Sequence, residues 1–395
     1  MNINEIMSAC FRNTVKKNTK LQVLLSQKKT QQKFVLYGAG RLGRHASKGL
    51  RNSGCRIKAF IDSDVRKQGT YVDGIRVYGL DEYAKLPNIL DDIIIITIWN
   101  PSDKESPIGK IVETLNTAGF SNIITWPDVF RVYSEQLLPW YSIGKCHNIL
   151  NHNDEINEAL SLMADEASRD CFLKHLTWII TGDVSKANKP TGDEQYFLKE
   201  IFSGETVPSI FVDCGAYDGD TIERYLAWCN NNFSRIVAFE PDPVNYQKLE
   251  KFIFNLPENV HSKISLEPCG VGAVSGETLF LEESGTGSGL GKNGTVPIGI
   301  KSLDEVLPPK QQSCFIKMDI EGAELDALQG AKRLIKTSRP ILAICLYHKQ
   351  NHLWDIPLLV DSLADKYQLY LRAYAYDGFE LVLYAIPAEK GIVLT

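Results

Sequence analysis

The stretch FVDCGAYDGDT at residues 211–221 has a pattern that few folds can accommodate. An apolar run ends at Asp213, small residues follow, and helix-forming residues begin at Ile222, which is the pattern of a strand, a tight turn and a helix. Glycine carries no Cβ, so such a turn lets the backbone approach a ligand, and the helix N-terminus offers free N–H groups. The small residues are Gly215, Ala216 and Gly219. The stretch predicts a nucleotide-like ligand in an α/β domain.

A second apolar run, residues 236–239, ends in an acidic residue, Glu240, about 20 residues further along the chain. Nucleotide-binding folds contact ribose hydroxyls at this position. The glycine spacing is GxxxG, with Asp213 two residues before the first glycine. It resembles motif I of S-adenosylmethionine-dependent methyltransferases. The alternative is an ordinary strand-to-helix turn that binds no ligand.

Composition narrows the class of protein. A chain of 395 residues is too long for one ordinary domain. The net charge of −5, without a dense block of Lys or Arg, argues against nucleic acid as a partner. The nine cysteines are never spaced CxxC, which argues against a disulfide framework and a zinc site. No apolar run approaches the ~20 residues that span a bilayer. We expect a cytoplasmic protein without a transmembrane segment or a metal ion, and leave homo-oligomerisation open.

The N-terminal part of the chain predicts two segments. Residues 1–30 are predicted to form a helical segment that packs on its own domain or on a partner subunit, with a basic amphipathic helix on a membrane surface as the alternative. Residues 31–130 are predicted to form a Rossmann-like domain, because apolar strands at residues 34–37 and 57–61 flank a GxGxxG pattern and a helix. The second of these strands ends in Asp62, the position of a ribose-binding acid. The glycines of the pattern are Gly38, Gly40 and Gly43.

The stretch FIDSDVRKQGTYVDGIRVYGLDEY, residues 60–83, resembles the nucleotide-binding domains attached to bacterial sugar acyltransferases and to polysaccharide-biosynthesis dehydratases. The resemblance implies a nucleotide sugar or NAD as the ligand, or a domain that no longer binds one. No Tyr-x-x-x-Lys pair such as a short-chain dehydrogenase needs is evident. We interpret this domain as a binding module.

Residues 131–205 are predicted to form a helical connector. Apolar residues recur there at helical spacing and predict one long helix with a buried stripe, which is a packing surface. The residues of the stripe are Ile156, Leu160, Met163, Ala167 and Cys171. The last domain, residues 206–395, is predicted to begin after the loop at 188–192.

The last domain alternates strands and helices. Residues 264–266, 314–318 and 341–346 are predicted strands, and a helix is predicted to begin at Ile320. Two hairpins are predicted, at 278–281 with 296–300 and at 369–374 with 380–386. The first encloses a glycine-rich loop, residues 284–294, which is either a lid or a hairpin tip. The pattern predicts a mostly parallel sheet with a reversed C-terminal strand.

Five motifs occur in order in this half of the chain: FVDCGAYDGDT, AFEPDP, CGVGA, IKMDIEGAELDALQGA and LYHKQNHLWDIP. Together they resemble the FkbM family of S-adenosylmethionine-dependent methyltransferases. The resemblance extends from about residue 195 to the end of the chain. It implies a class I methyltransferase fold and O-methylation of a hydroxyl group, commonly on a sugar, a glycan or a natural product, with S-adenosylmethionine as the donor.

The resemblance also implies roles for particular residues. S-adenosylmethionine would be bound by Asp213, Gly215, Ala216, Gly219 and Glu240, with the backbone at Cys269 and Gly270 beside the adenine. The acceptor would be faced by Asp319, Glu321, Glu324 and His348. Asp319 is the leading candidate for the general base, because strand ends in open α/β sheets face the ligand crevice.

Alternatives remain for each of these acceptor-facing residues. Asp319 could instead cap the following helix, and carboxylates at Glu321 and Glu324 would complement the dipole of its first turn. His348 could take the proton or be structural. The competing functions are an NAD(P)-linked oxidoreductase that uses the N-terminal domain and a non-catalytic nucleotide-sugar-binding protein.

Overall fold

The computed structural model describes residues 33–89, 91–200, 207–281, 289–290, 296–309 and 313–394, together with Leu21. The predicted helical segment at residues 1–30 lies outside these residues except for Leu21, which is helical and buried. The chain forms two compact units. The first contains Met1–Asp154, Cys171–Pro190 and Ala375–Phe379, and the second contains Glu155–Asp170, Thr191–Tyr374 and Glu380–Thr395. The predicted connector, residues 131–205, therefore contributes to both units.

The first unit is built on a six-stranded sheet in the order β3-β4-β2-β1-β5-β6. Its strands are β1 (Lys33–Tyr37), β2 (Arg56–Ile61), β3 (Tyr71–Val72), β4 (Ile75–Tyr78), β5 (Ile93–Ile96) and β6 (Ile123–Thr125). Neighbours are parallel except for the β3–β4 hairpin. The described helices up to the second unit's sheet are α1 (Arg41–Asn52), α2 (Leu80–Tyr83), α3 (Pro107–Thr117), α4 (Trp126–Val132), α5 (Ser134–Leu137), α6 (Cys146–Asn151), α7 (Asn153–Ser161) and α8 (Glu166–Thr181), followed by a 3₁₀ turn (Val184–Lys186). The predicted Rossmann-like architecture is confirmed.

The predicted long helix across residues 156–171 is wrong, because the chain is divided between α7 and α8. Between these helices Met163 forms an isolated parallel bridge with Leu369. Asp165 then starts the second helix, since its Oδ1 accepts a hydrogen bond from the Ser168 amide at 2.7 Å. Leu369 belongs to the edge strand of the second unit's sheet, whose unpaired backbone groups offer the partner that interrupts the helix.

The second unit is built on a seven-stranded sheet in the order β16-β17-β15-β14-β7-β8-β9. Its strands are β7 (Ile210–Cys214), β8 (Arg235–Phe239), β9 (Ile264–Glu267), β14 (Cys314–Met318), β15 (Ile341–Cys345), β16 (Tyr367–Ala373) and β17 (Leu381–Pro387). The first five are parallel to one another, and β17 runs antiparallel to both of its neighbours. The described helices are α9 (Asp220–Trp228), α10 (Pro243–Phe254), α11 (Glu258–His261), α12 (Leu303–Val306), α13 (Glu324–Gln329), α14 (Lys332–Ser338) and α15 (His352–Leu363), and a 3₁₀ turn (Ala388–Lys390) follows β17. The predicted parallel sheet with a reversed C-terminal strand is confirmed.

A smaller sheet in this unit has the order β10-β13-β11-β12. Its strands are β10 (Cys269–Val271), β11 (Gly276–Leu281), β12 (Gly289–Leu290) and β13 (Val296–Lys301). The predicted hairpin between β11 and β13 is present, with antiparallel pairing. Most of the glycine-rich loop at 284–294 lies outside the described residues, so the choice between a lid and a hairpin tip stays open.

The central strands of the larger sheet position the functional residues. Every residue of β14 and β15 is buried, as expected for parallel strands covered on both faces. The carboxyl ends of parallel strands meet at one edge of a sheet, so the residues that follow β7, β8, β14 and β15 are brought together there. Within the described part of the chain, no helix combines the length and apolar character needed to cross a membrane.

Candidate active site

The turn between β7 and α9 requires glycine because of its neighbours. Gly215 has φ +86°, and a Cβ there would lie 2.0 Å from the main-chain oxygen of Asp319. Gly219 has φ +98°, and a Cβ there would lie 2.4 Å from the ring of Phe252 in α10. Side-chain-bearing residues rarely adopt such backbone angles. Gly215 therefore lets the turn pack against the segment that carries Asp319, and Gly219 lets it pack against α10.

Glu240, the acidic residue after β8, is fixed to the same turn. Its Oε2 accepts a hydrogen bond from the Tyr217 amide at 2.8 Å, and its Oε1 accepts one from the Asp242 amide at 2.9 Å. Burial raises the pKa of Glu240 to about 7, although both amides lower it. Each carboxylate oxygen keeps further acceptor capacity. The side chain can therefore accept hydrogen bonds from ribose hydroxyls while it remains attached to the turn.

Asp213 lies within β7 and is completely buried. The Nζ of Lys317 lies 3.0 Å from its Oδ1 and donates a hydrogen bond to the carbonyl oxygen of Gly215 at 2.6 Å. Burial raises the pKa of Asp213 to about 6, and the neighbouring ammonium group moderates this shift. With no exposed surface, Asp213 supports the turn through Lys317 and presents no oxygen to a ligand in this structure.

The segment after β14 is a loop, which corrects the prediction that a helix begins at Ile320. The helix begins at Glu324, because Glu321 and Gly322 have φ of +53° and +100°, which a right-handed helix cannot contain. The Oε1 of Glu324 accepts a hydrogen bond from the Ile320 amide at 3.0 Å and thereby holds the loop. Asp319 consequently caps no helix. Of the two glutamates expected in the first helical turn, the helix includes Glu324 alone.

A buried ion pair lies behind this loop. The Nδ1 of His348 is 2.7 Å from the Oε1 of Glu324, and the two side chains are 1% and 0% exposed. Burial alone would lower the pKa of His348, but Glu324, Glu321 and Asp319 outweigh it and raise the pKa to about 10. Burial would likewise raise the pKa of Glu324, but His348 lowers it to about 2. His348 is therefore an imidazolium at neutral pH, and Glu324 holds it in place rather than facing open space.

Asp319 is surrounded by donors on one side. Its Oδ2 accepts a hydrogen bond from the Tyr196 hydroxyl at 3.0 Å, and its Oδ1 lies 3.3 Å from both the Tyr347 hydroxyl and the Nε2 of His348. The Asp319 side chain is 24% exposed, and that of Glu321 is 26% exposed. Of the four predicted acceptor-facing residues, these two keep exposed carboxylate surface.

Sequence reasoning missed five residues of this cluster, and these are Tyr196, Lys317, Cys345, Tyr347 and Glu380. The Tyr196 hydroxyl lies 3.2 Å from the Sγ of Cys345, and the Tyr347 hydroxyl lies 3.3 Å from the Oε1 of Glu380. Burial, with the charge of Asp319, raises the pKa of Glu380 to about 7. Tyr347 and Cys345 could have been found from their adjacency to His348 at the end of a strand. Nothing in the sequence near Tyr196 or Glu380 points to the site.

The remaining predicted ligand residues occupy ordered positions. The amide of Ala216 donates a hydrogen bond to the carbonyl oxygen of Phe239 at 2.9 Å, which ties the turn to the end of β8. Cys269 and Gly270 are buried in β10, which pairs with β13. Their contact with an adenine ring stays a prediction.

The first unit repeats the carboxylate arrangement of Glu240. The Oδ2 of Asp62 accepts a hydrogen bond from the Ala39 amide in the glycine turn at 2.8 Å, and its Oδ1 accepts one from the Asp64 amide at 2.9 Å. The Nζ of Lys67 lies 3.1 Å from the same Oδ2. Asp62 thus holds its turn as Glu240 holds the turn after β7.

The glycines of this first turn differ in whether and why their positions require glycine. Gly38 has φ +115°, and a Cβ there would lie 2.7 Å from the Thr97 carbonyl oxygen. A Cβ at Gly43 would lie 1.9 Å from the carbonyl oxygen of Gly38, because the helix packs directly on the turn. A Cβ at Gly40 would meet nothing within 4 Å. Gly38 and Gly43 serve the fold, and Gly40 leaves an open face at the start of α1.

The sheet order, the single reversed strand, the glycine turn after β7 and the acid after β8 together define a class I methyltransferase fold in the second unit. Residues 213–377 match the family model of the methyltransferase FkbM domain. The structure is similar to that of methyltransferase FkbM from Methylobacillus flagellatus, with a TM-score of 0.77 and 22% identity, over 97% of this chain and 98% of that chain. The resemblance to the family and the predicted fold class are confirmed.

Two further likenesses are partial. The chain is 32% identical over 130 residues to the redox-sensing transcriptional repressor Rex of Treponema denticola, a match to 32% of this chain and 61% of that protein. It is also similar to UDP-D-quinovosamine 4-dehydrogenase from Vibrio fischeri, with 24% identity over 28% of this chain and 88% of that one, but the TM-score is 0.22. Neither likeness assigns a ligand to the first unit.

Proposed function

We propose that the second unit transfers a methyl group from S-adenosylmethionine to a hydroxyl group of a sugar, a glycan or a related natural-product intermediate. The observation that supports this most is Asp319, a partly exposed carboxylate beside the glycine turn, anchored by Tyr196 and Tyr347. A sugar hydroxyl is a poor acid, so its methylation benefits from a fixed base at the attacking oxygen. We expect the protein to work in the cytoplasm, in glycan or polysaccharide biosynthesis.

The residues around the turn fit S-adenosylmethionine as the donor. Glu240 is fixed by two backbone amides and keeps acceptor capacity for ribose hydroxyls. When bound, S-adenosylmethionine supplies an electrophilic methyl group on a sulfonium centre. Glu240 and the turn would hold the nucleoside, which leaves the carboxyl ends of β14 and β15 for the acceptor.

In this proposal Asp319 is the base and His348 is a positioning residue. An imidazolium with a pKa of about 10 has no free lone pair to take a proton at neutral pH, and its Nε2 faces the Oδ1 of Asp319. Glu321, whose carboxylate is partly exposed, would contact the acceptor. S-adenosylmethionine would supply the methyl group and leave as S-adenosylhomocysteine, and Asp319 would take the proton of the acceptor hydroxyl.

The test is release of S-adenosylhomocysteine, with mass and NMR analysis of the product, from a panel of UDP-, GDP- and CMP-sugars and free oligosaccharides. Asp319→Asn is expected to bind S-adenosylhomocysteine normally but to lose roughly 10²–10⁴-fold in turnover, the usual contribution of a general base. The matched control is Glu389→Gln, because Glu389 is an exposed carboxylate paired with Arg339 on the surface. Full turnover by Asp319→Asn would refute the role of Asp319, and methylation on nitrogen or carbon would refute the O-directed reaction.

We propose a second ligand site for a nucleotide-bearing molecule in the first unit, either NAD or a nucleotide sugar. The supporting observation is that Asp62 repeats the hydrogen bonds of Glu240 to its own glycine turn. A thermal-shift panel of NAD, NADP and the sugar nucleotides tests this, since a ligand at 100 times its Kd adds roughly 2.7 kcal/mol. The shift should vanish in Asp62→Ala and persist in Glu240→Ala. Reduction of NAD with a sugar nucleotide would favour an oxidoreductase, whereas binding without turnover would favour a binding module.

A further inference from the structure

Glu380 and Asp319 form a pair of carboxyl groups at the proposed acceptor site. One oxygen of each, together with the Sγ of Cys345, lies within 4.8 Å of the others. The Tyr347 hydroxyl stands between the two carboxyl groups, 3.3 Å from the Oδ1 of Asp319 and 3.3 Å from the Oε1 of Glu380. The Tyr347 hydroxyl has a single proton, so it can donate to only one of the two carboxylates at a time.

The surroundings of Glu380 make its ionisation costly beside Asp319. Its other carboxylate oxygen, Oε2, accepts a hydrogen bond from the side-chain Nε2 of Gln195. Ionising both of two carboxyl groups that are this close and partly removed from water costs free energy, because like charges repel strongly at low dielectric. Two cations face members of the pair, because His348 interacts with both carboxyl groups and the Lys317 ammonium interacts with Asp319. The titratable and charged groups around Glu380 are Asp319, Tyr196, Cys345, Tyr347 and His348.

We propose that Glu380 is a positioning residue that shares one proton with Asp319 through the Tyr347 hydroxyl and serves as the exit for the acceptor's proton. The proposal rests on the proposed function, since it gives the proton taken by Asp319 a destination. Protonated Asp319 donates to the Tyr347 oxygen as the Tyr347 proton moves to the Glu380 carboxylate. Asp319 returns to a carboxylate, Tyr347 stays a neutral phenol, and Glu380 becomes a carboxylic acid that releases its proton to solvent.

Carbon-13 NMR of protein labelled at the glutamate side-chain carboxyl tests the pair without any acceptor. Burial raises the pKa of Glu380 and of Glu240 to about 7, so two resonances should titrate near neutrality. Glu380→Gln should remove one of them and Glu240→Gln the other. The Glu240 resonance is an internal control, because Glu240 has no contact with Tyr347 among its described hydrogen bonds.

The signature of a shared proton is a pair of opposite shifts in the Glu380 midpoint. Asp319→Asn removes a negative charge and should lower the midpoint by about one unit or more. Tyr347→Phe removes a donor to the Glu380 carboxylate and should raise the midpoint. The Glu240 midpoint should not move in either variant. A Glu380 that stays ionised from about pH 5 to 9, or that titrates identically in Tyr347→Phe, would overturn the proposal.

Turnover provides an independent readout once an acceptor is found by the assay above. The wild-type turnover rate should decrease as the pH is lowered below about 7, because Glu380 is then already protonated. The Glu380→Gln variant should turn over about tenfold more slowly than wild type and should not show this decrease. Glu380→Asp should restore the decrease in turnover at acidic pH. A purely structural role of Glu380 predicts instead that Glu380→Gln lowers turnover by the same factor at every pH. If no hydroxyl acceptor exists, the proposed function fails, while the NMR titration still decides whether the carboxyl groups share a proton.

Discussion

Replacing Glu324 by glutamine is expected to remove much of the pH dependence of stability that the buried His348–Glu324 pair creates. Glutamine keeps a side-chain oxygen that can accept from the Ile320 amide and from the Nδ1 of His348, but it carries no charge. Both side chains of the pair are almost fully buried, so water does not compensate for the lost charge. Breaking such a pair from one side typically costs about 3–5 kcal/mol.

The magnitude and its sign follow from the pKa of His348, which is raised from 6.5 to about 10. One pKa unit corresponds to about 1.4 kcal/mol, so this difference corresponds to about 5 kcal/mol. A group with a raised pKa in the folded state stabilises the fold fully below its unfolded pKa and loses that contribution as pH rises through the folded value. The wild-type protein should therefore lose up to about 5 kcal/mol between about pH 6.5 and 10.

The low-pH end of the range in which the pair stabilises the fold is set by Glu324, whose pKa is lowered from 4.5 to about 2. Its contribution is present above the unfolded pKa and is lost as pH falls towards the folded value. The stability difference between wild type and Glu324→Gln should therefore be largest between about pH 4.5 and 6.5 and should shrink on both sides. In the variant, Glu321 and Asp319 still raise the pKa of His348, so part of the alkaline loss remains.

Urea unfolding followed by circular dichroism at about pH 5.5, 7.5 and 9.5 measures this difference. Titrating groups that do not interact with Glu324 or His348 contribute equally to the two proteins and cancel in the comparison, whereas His352 and Glu380 interact with the pair and contribute to the difference. Glu389→Gln, which removes an exposed carboxylate from a surface pair, should not differ measurably from wild type at any pH. A Glu324→Gln difference of the same size at all three pH values would refute the assignment of His348 as a buried imidazolium.

Three further changes test the site and its support. Gly215→Ala places a Cβ 2.0 Å from a main-chain oxygen at φ +86° and should lower the free energy of unfolding, measured in urea, by more than about 3 kcal/mol. The control Gly391→Ala, at φ +64° with no atom within 4 Å of the new Cβ, should lower it by about 1 kcal/mol. Equal losses in the two variants would contradict the steric argument. Glu240→Ala should abolish the thermal shift with S-adenosylhomocysteine, which Asp62→Ala should leave intact; loss in both would indicate general unfolding. Lys317→Met leaves a fully buried carboxylate without its cation and should cost about 3–5 kcal/mol, and an unchanged urea midpoint would show that the pair is dispensable.

The local pattern of the sequence was sufficient to predict most of the strands and the two glycine turns. The apolar run at residues 341–345 is a strand because parallel strands covered on both faces are largely apolar, and β14 follows the same pattern apart from Lys317. The helix after β14 was placed too early, because helix-forming residues do not reveal that Glu321 and Gly322 adopt left-handed backbone angles. The break between α7 and α8 was also missed, because its cause is an edge strand that lies far away in the sequence.

Short-range periodicity and ordered motifs were enough to predict the fold class, the family resemblance and the strand ends at which Glu240, Asp319 and His348 lie. Only the tertiary structure brought Tyr196 and Glu380 to Asp319, since these residues are far from Asp319 in the sequence and the Tyr196–Asp319 hydrogen bond joins residues 123 positions apart. Tertiary structure also decided the charge states. The pKa of His348 is raised to about 10 and that of Glu380 to about 7 because burial and neighbouring charges act on these side chains. Burial and neighbouring charge depend on distance in space rather than on position in the chain.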